Sequence, residues 1–278
     1  MEVDEHVHAR PAPALRPYVA FYSGYRQRGM PPGRHRGLPS PYLTVILTID
    51  DPLVVAAHPD RRQAPGRYDA LVGGLHVAPA MIVSDGAQSG VQLAVHPLGC
   101  RALFGLPAAE LANVDADLTS VVGDTLVGEL RDRLRRATSW PARFAALDEV
   151  LCRRMLTRAG PVHPDVAHAF RRLLASGGRV AITDLAREIG WSGRHLTNRF
   201  RAEFGLRPKE AARVIRFDRA RRRIAPGVRL AGIAADAGYF DQAHLVRDFQ
   251  VFAGCSPSRW LADEIGFVQA VPGLLDED

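Results

Sequence analysis

The chain has 278 residues, 47% of them hydrophobic and 24% charged, which suits two ordinary domains each able to bury a core. No run approaches the roughly 18 apolar residues of a membrane span, and the acidic start Met1-Glu2-Val3-Asp4-Glu5 lacks the apolar run of a secretory signal. Cys100, Cys152 and Cys255 are far apart and form no Cys-x-x-Cys pair, which fits a cytoplasmic protein and argues against a disulfide framework or structural zinc.

The net charge of +6 is unevenly spread. Residues 1–158 carry +2, residues 159–264 carry +7 from 18 basic against 11 acidic side chains, and residues 265–278 carry −3. A compact basic segment beside a near-neutral one points to a polyanionic partner. Only Lys209 among the basic residues is lysine; a GC-rich genome would produce the same bias, so residue choice alone proves little.

In chain order, Leu43, Val45, Leu47 and Ile49 alternate with Thr44, Ile46 and Thr48, the period of a strand. Asp50-Asp51-Pro52 predicts a turn into a second strand, Leu53–His58, and Val91, Leu93 and Val95 mark another. From about residue 124 the period becomes helical, through Leu126, Leu130 and Leu134. A second helix after Trp140-Pro141 carries Phe144, Leu147, Leu151 and Met155. The pattern predicts an α+β N-terminal domain over residues 1–158, a small antiparallel sheet or barrel backed by helices. Ala159-Gly160-Pro161 reads as the linker to an all-α domain over residues 159–264, with an acidic tail over 265–278. That second domain opens with a helix presenting Val166, Phe170, Leu173 and Leu174, stopped by Gly177-Gly178.

The all-α region contains an internal repeat. At an offset of 48, Leu185-Ala186 matches Ile233-Ala234, Ile189-Gly190 matches Ala237-Gly238, and Trp191 matches Tyr239. After one extra residue, Leu196, Phe200, Gly205 and Pro208 match Leu245, Phe249, Gly254 and Pro257. Each copy reads as a short helix, a glycine turn and a second helix. Ala186 and Ala234 allow a close crossing, Gly190 and Gly238 suit a turn at positive φ, and Ser192 and Asp241 are natural N-caps. Leu196 and Phe200, then Leu245 and Phe249, form the apolar faces.

In a helix-turn-helix the second helix enters the major groove, where Arg matches guanine and Asn or Gln matches adenine. Arg194, Asn198, Gln242 and Arg247 are the leading base-reading candidates, with Thr197, Arg201 and His244 beside them. A single such residue is more simply a solvated side chain; the set, repeated on both predicted faces, favours double-stranded DNA. The connecting stretch Lys209–Ile224 spans about 24 Å as helix. Its Arg213, Arg216, Arg219 and Arg221-Arg222-Arg223 include candidates for phosphate contact, with Arg216 a structural alternative because it shares a face with Ala220 and Ile224.

These residues resemble the AraC/XylS family of bacterial regulators over roughly residues 163–263. The first unit reads Ile182-Thr-Asp-Leu-Ala-Arg-Glu-Ile-Gly-Trp-Ser192 followed by His195-Leu196, Arg199-Phe200, Gly205 and Pro208. The second has Ile233-Ala234, Gly238-Tyr239, Asp241, Arg247, Phe249, Gly254 and Pro257, and the connector carries Arg216 and Ala220. Leu245 stands where an aromatic is usual, and Trp260-Leu261 replaces an aromatic-Arg pair. The resemblance implies a transcription regulator, an activator or a repressor, with RNA polymerase as a candidate partner. It also implies an N-terminal domain that senses a small-molecule effector or forms a homodimer, for which Leu15–Tyr22 and the Tyr42–Ile49 strand are the matching start.

Other chemistry is weaker. His6, His8, His35, His58, His76 and His96 lack a strand-borne His-x-His with downstream ligands, and His6 and His8 fall in a stretch expected to be a mobile terminus. No phosphate loop or nucleophile elbow is evident, and Cys100 reads as a buried thiol, so neither catalysis nor a cofactor is expected. An enzyme or an adaptor domain held at DNA by the C-terminal region is the competing reading.

Overall fold

The computed structural model describes residues 3–155 and 160–264. The predicted linker lies partly, and the acidic tail wholly, outside the described residues. Ten strands come first: β1 (Val3–Ala9), β2 (Val19–Arg28), β3 (Gly33–Gly37), β4 (Leu43–Thr48), β5 (Leu53–Ala57), β6 (Gly66–Tyr68), β7 (Ala70–Gly73), β8 (Ala80–Ser84), β9 (Gln88–Val95) and β10 (Asp115–Asp117). They form two antiparallel sheets, ordered β1-β2-β9-β4-β7-β10 and β3-β8-β5-β6. The first has more strands than the small sheet expected. His6 and His8 sit not in a loose terminus but on β1, opposite Tyr25 and Ser23 of β2. Strand pairing between segments distant in sequence, which no local pattern reports, holds them there.

The alternation on β4 has a specific outcome. Leu43, Val45, Leu47 and Ile49 are buried as the period requires, and Ile46 and Thr48 are buried too, because β4 lies between β9 and β7 with both faces covered. Helices α1 (Cys100–Phe104), α2 (Leu118–Val122), α3 (Asp124–Arg136) and α4 (Trp140–Met155) back the larger sheet. Phe144 of α4 stacks on Tyr22 at 5.7 Å, and the Tyr22 hydroxyl donates to Asp148 at 2.9 Å. The Trp140 ring lies over Gly24, where any side chain would collide with it.

Beyond residue 160 the described chain is helical: α5 (Pro164–Ala175), α6 (Ile182–Glu188), α7 (Gly193–Phe204), α8 (Pro208–Arg221), α9 (Leu230–Ala237), α10 (Gln242–Ala253) and α11 (Pro257–Glu264). Helix α8 serves two cores. Ala211, Ala212 and Ile215 pack with Phe170, Leu185, Leu196 and Phe200, whereas Val214, Phe217 and Ala220 pack with Ile233, Leu245, Phe249 and Trp260. Leu38, from the loop between β3 and β4, is buried in the second of these.

Candidate nucleic-acid interface and buried cavity

In the first bihelical unit Leu185 and Ala186 of α6 are buried, and the chain turns at Gly190, whose φ is +72°. The Trp191 N–H donates to the Ala186 carbonyl at 2.8 Å, closing the helix end. The Ser192 side chain accepts the His195 N–H at 3.2 Å and so starts α7. Leu196, Phe200 and Phe204 recur every four residues and are fully buried. The opposite stripe holds Arg194, Thr197, Asn198 and Arg201, spaced as one helix face. Three of these are exposed; Thr197 is half-buried, and its hydroxyl donates to the Gly193 carbonyl at 2.8 Å.

The second unit repeats the construction. Ile233, Ala234 and Ala237 are buried, Gly238 turns at φ +83°, and Asp241 accepts the His244 N–H at 2.6 Å. Leu245, Phe249 and Phe252 of α10 face inward, and Gln242 and Arg247 are exposed. His244 does not join them. Its ring meets Tyr239 edge-on at 5.0 Å, as His195 meets Trp191 at 4.5 Å, because the third helical position leans back on the turn aromatic. By the repeat, the stripe of Arg194, Thr197, Asn198 and Arg201 becomes Ala243, Val246, Arg247 and Gln250. Sequence reasoning passed over Gln250, which is exposed, although the 49-residue offset from Arg201 pointed to it.

The connector also departs from expectation. Helix α8 ends at Arg221, not Ile224, so its 14 residues span about 21 Å. Most of its arginines turn to internal partners: Arg213 to Asp248 at 2.7 Å, Arg216 to the Gly178 carbonyl at 2.6 Å, and Arg221 to Asp218 at 2.7 Å. Just past it, Arg222 also pairs with Asp218 at 2.9 Å and Arg223 with Asp236 at 2.7 Å. Carboxylates close at hand take up guanidinium groups that a charge count assigns to phosphates.

Between the two sheets lies a cavity of about 150 Å³. Phe21, Tyr25, Thr44 and Gln92 line it from one sheet, His35, Leu53, Val55 and Ile82 from the other, and Arg221 and Arg222 close one side. Burial holds His35 neutral, its pKa depressed to about 4, and lowers His76 in the same way. Burial also pushes the Tyr42 hydroxyl up to about 12. Its polar lining is therefore mostly uncharged, apart from Asp115 and the arginine pair beside Asp218. Among the described residues no group of three His, Cys, Asp or Glu side chains is placed to hold a metal, and no helix is long and apolar enough to cross a membrane.

Two ion-pair clusters tie the sheet region to the helical units. Arg101 of α1 grips Glu203 of α7 through Nε–Oε1 and Nη2–Oε2 contacts, each 2.8 Å. Arg36 of β3 donates through its backbone and Nη1 to Glu264 at 3.0 and 3.2 Å, and through Nη2 to Asp263 at 3.1 Å.

Two capped helix pairs on a shared connecting helix define a tandem helix-turn-helix protein. Residues 185–263 match the family model described as a helix-turn-helix domain, and residues 7–117 match one described as a domain of unknown function (DUF6597). The C-terminal part of the chain thus carries a helix-turn-helix domain of the AraC type. A Bacillus subtilis protein described as an uncharacterized HTH-type transcriptional regulator, YbfI, is 33% identical over 66 residues, about a quarter (24%) of each chain. Two crystal structures of ToxT from Vibrio cholerae share the fold at 10% identity. The apo K231A form covers 87% of this chain and 96% of its own with a TM-score of 0.51; the unsaturated-fatty-acid-bound form covers 92% and 97% at 0.50.

Proposed function

We propose that the chain is a sequence-specific DNA-binding transcription regulator whose two units read adjacent major-groove segments. The observation that carries this is the pair of N-capped second helices, each with its apolar stripe buried and a stripe including Arg194, Asn198 and Arg201, or Arg247 and Gln250, left exposed. Because the two stripes differ, a single chain reads an asymmetric site. In this reading residues 1–158 are the effector or dimerisation domain and residues 159–264 the DNA-binding domain, acting with RNA polymerase.

The cavity supports control by a small molecule rather than turnover. Its volume suits a ring-sized ligand, its lining offers hydrogen bonds from mostly uncharged groups, and Arg221 and Arg222 put it in contact with the connecting helix. The test is enrichment of random duplexes by the full-length protein, followed by affinity measurements on the enriched site. A recurring asymmetric site bound more tightly than random DNA is expected. Equal affinity for enriched and random duplexes would refute the reading, and product formation from a cavity ligand would favour an enzyme instead.

A further inference from the structure

The second turn is one residue longer than the first, and the extra residue is Phe240. The repeat sets Tyr239 against Trp191 and Asp241 against Ser192, which leaves Phe240 without a counterpart. In the first unit Trp191 directly precedes the cap and packs on His195. In the second, Tyr239 fills that place, 5% exposed and packed on His244, so the residue next to the cap is displaced outward. Phe240 is 94% exposed. A phenyl ring left in water forfeits the stabilisation of burial, and any surface that covers it recovers that term.

Its position identifies the surface. The N-terminal end of the second helix is the end that meets base edges, and Phe240 adjoins the N-cap of α10. The stripe that follows is less polar than its counterpart: Ala243 and Val246 stand where the first unit has Arg194 and Thr197. In the major groove the apolar feature that such groups can recognise is the thymine 5-methyl group. We propose that Phe240 reads a thymine methyl in the half-site bound by the second unit. This rests on the DNA-binding reading above, and adds a contact that neither the charge pattern nor the polar candidates supply.

The experiment replaces each thymine of an enriched site, one at a time, with deoxyuridine, which removes the methyl and leaves the base-pairing edge intact. Full-length wild type should lose about three- to tenfold in affinity at one or two positions, all in one half of the site. Phe240→Ala should bind the thymine site more weakly by a similar factor and be indifferent to those replacements, whereas Phe240→Leu should keep part of the sensitivity. A wild type indifferent to every deoxyuridine overturns the proposal. So does a Phe240→Ala variant that binds more weakly yet keeps the full deoxyuridine response, since the ring would then lie on the sugar-phosphate backbone. Failure to enrich any duplex overturns the DNA-binding reading itself and this inference with it.

Discussion

Replacing Arg101 should destabilise the chain more than replacing its partner Glu203, although both substitutions remove the same two hydrogen bonds. The asymmetry follows from burial: the Glu203 side chain is 10% exposed and that of Arg101 34%. Arg101→Ala strands a carboxylate at the junction of α1 and α7 with little water to rehydrate it. Glu203→Ala leaves a guanidinium that solvent already reaches. Breaking a buried pair from one side costs about 3–5 kcal/mol. Scaled for this partial exposure, Arg101→Ala should cost about 2–4 kcal/mol and Glu203→Ala about 1–2 kcal/mol. The double variant should be more stable than Arg101→Ala alone, because no stranded charge remains. Guanidinium unfolding of the full-length variants, with slopes checked for constancy, reads these differences as midpoint shifts. A Glu203→Ala cost equal to or above that of Arg101→Ala would refute the reasoning, as would strict additivity in the double variant.

Arg247→Ala should weaken binding to the enriched site by about 1–3 kcal/mol while sparing random DNA; equal losses on both would remove its base-reading role. Acid should destabilise the fold through His35 and His96, whose pKa values burial depresses to about 4. The unfolded imidazoles protonate near 6.5, so their contribution is complete above that pH. It declines by about 1.4 kcal/mol per unit for each histidine as pH falls toward 4. Denaturation midpoints at pH 7 and pH 5 should therefore differ, and His35→Gln should narrow the gap. The turn glycines should differ from each other on substitution. Gly190→Ala meets no neighbouring atom and incurs only the left-handed backbone strain, about 1–2 kcal/mol, whereas a methyl at Gly238 would also press on Arg179 Cγ at 2.6 Å. Thermal melts in which Gly238→Ala is no worse than Gly190→Ala would contradict that account.

The helical half was legible because its information is local. Cap, turn glycine and apolar stripe lie within some twenty residues of one another, and the repeat states them twice. The sheet half was legible only at β4, β5 and β9, where alternating apolar residues mark buried strands. Strand β3 reads Gly-Arg-His-Arg-Gly and has no apolar alternation; it is a strand because it pairs with β8. The cavity escaped detection for the same reason, since its lining comes from strands far apart in sequence that only the two-sheet packing brings together. Phe240 was visible as the residue that shifts the offset, but its exposure depends on Tyr239 taking the place beside the cap. The arginines of α8 mislead in the opposite direction: charge is countable in a sequence, but the Asp248 carboxylate that takes up Arg213 lies 35 residues away and is identified only by the fold, whereas Asp218 stands at helical spacing from Arg221 and Arg222.

Helix α8 is where the two halves bear on one another. Its residues divide between the cores of both helix-turn-helix units, and its C-terminal arginines reach the cavity. Asp218 is shared by Arg221 and Arg222, so a cavity ligand that draws either guanidinium toward itself must alter the other's pairing. That change falls on a helix neither unit can ignore, since Phe217 of the adjoining turn is packed against Phe249 at 4.9 Å. The Arg101 and Arg36 clusters fix one unit each to the sheet region, which opposes independent movement of the units. In the proposed reading, an effector that disturbed the Asp218 pairing would act on both units through this shared helix, against the restraint of those two clusters. Coupling between distant sites of this kind is commonly about 1–3 kcal/mol, comparable with the contribution of a single base contact, and thus enough to decide whether both half-sites are engaged together.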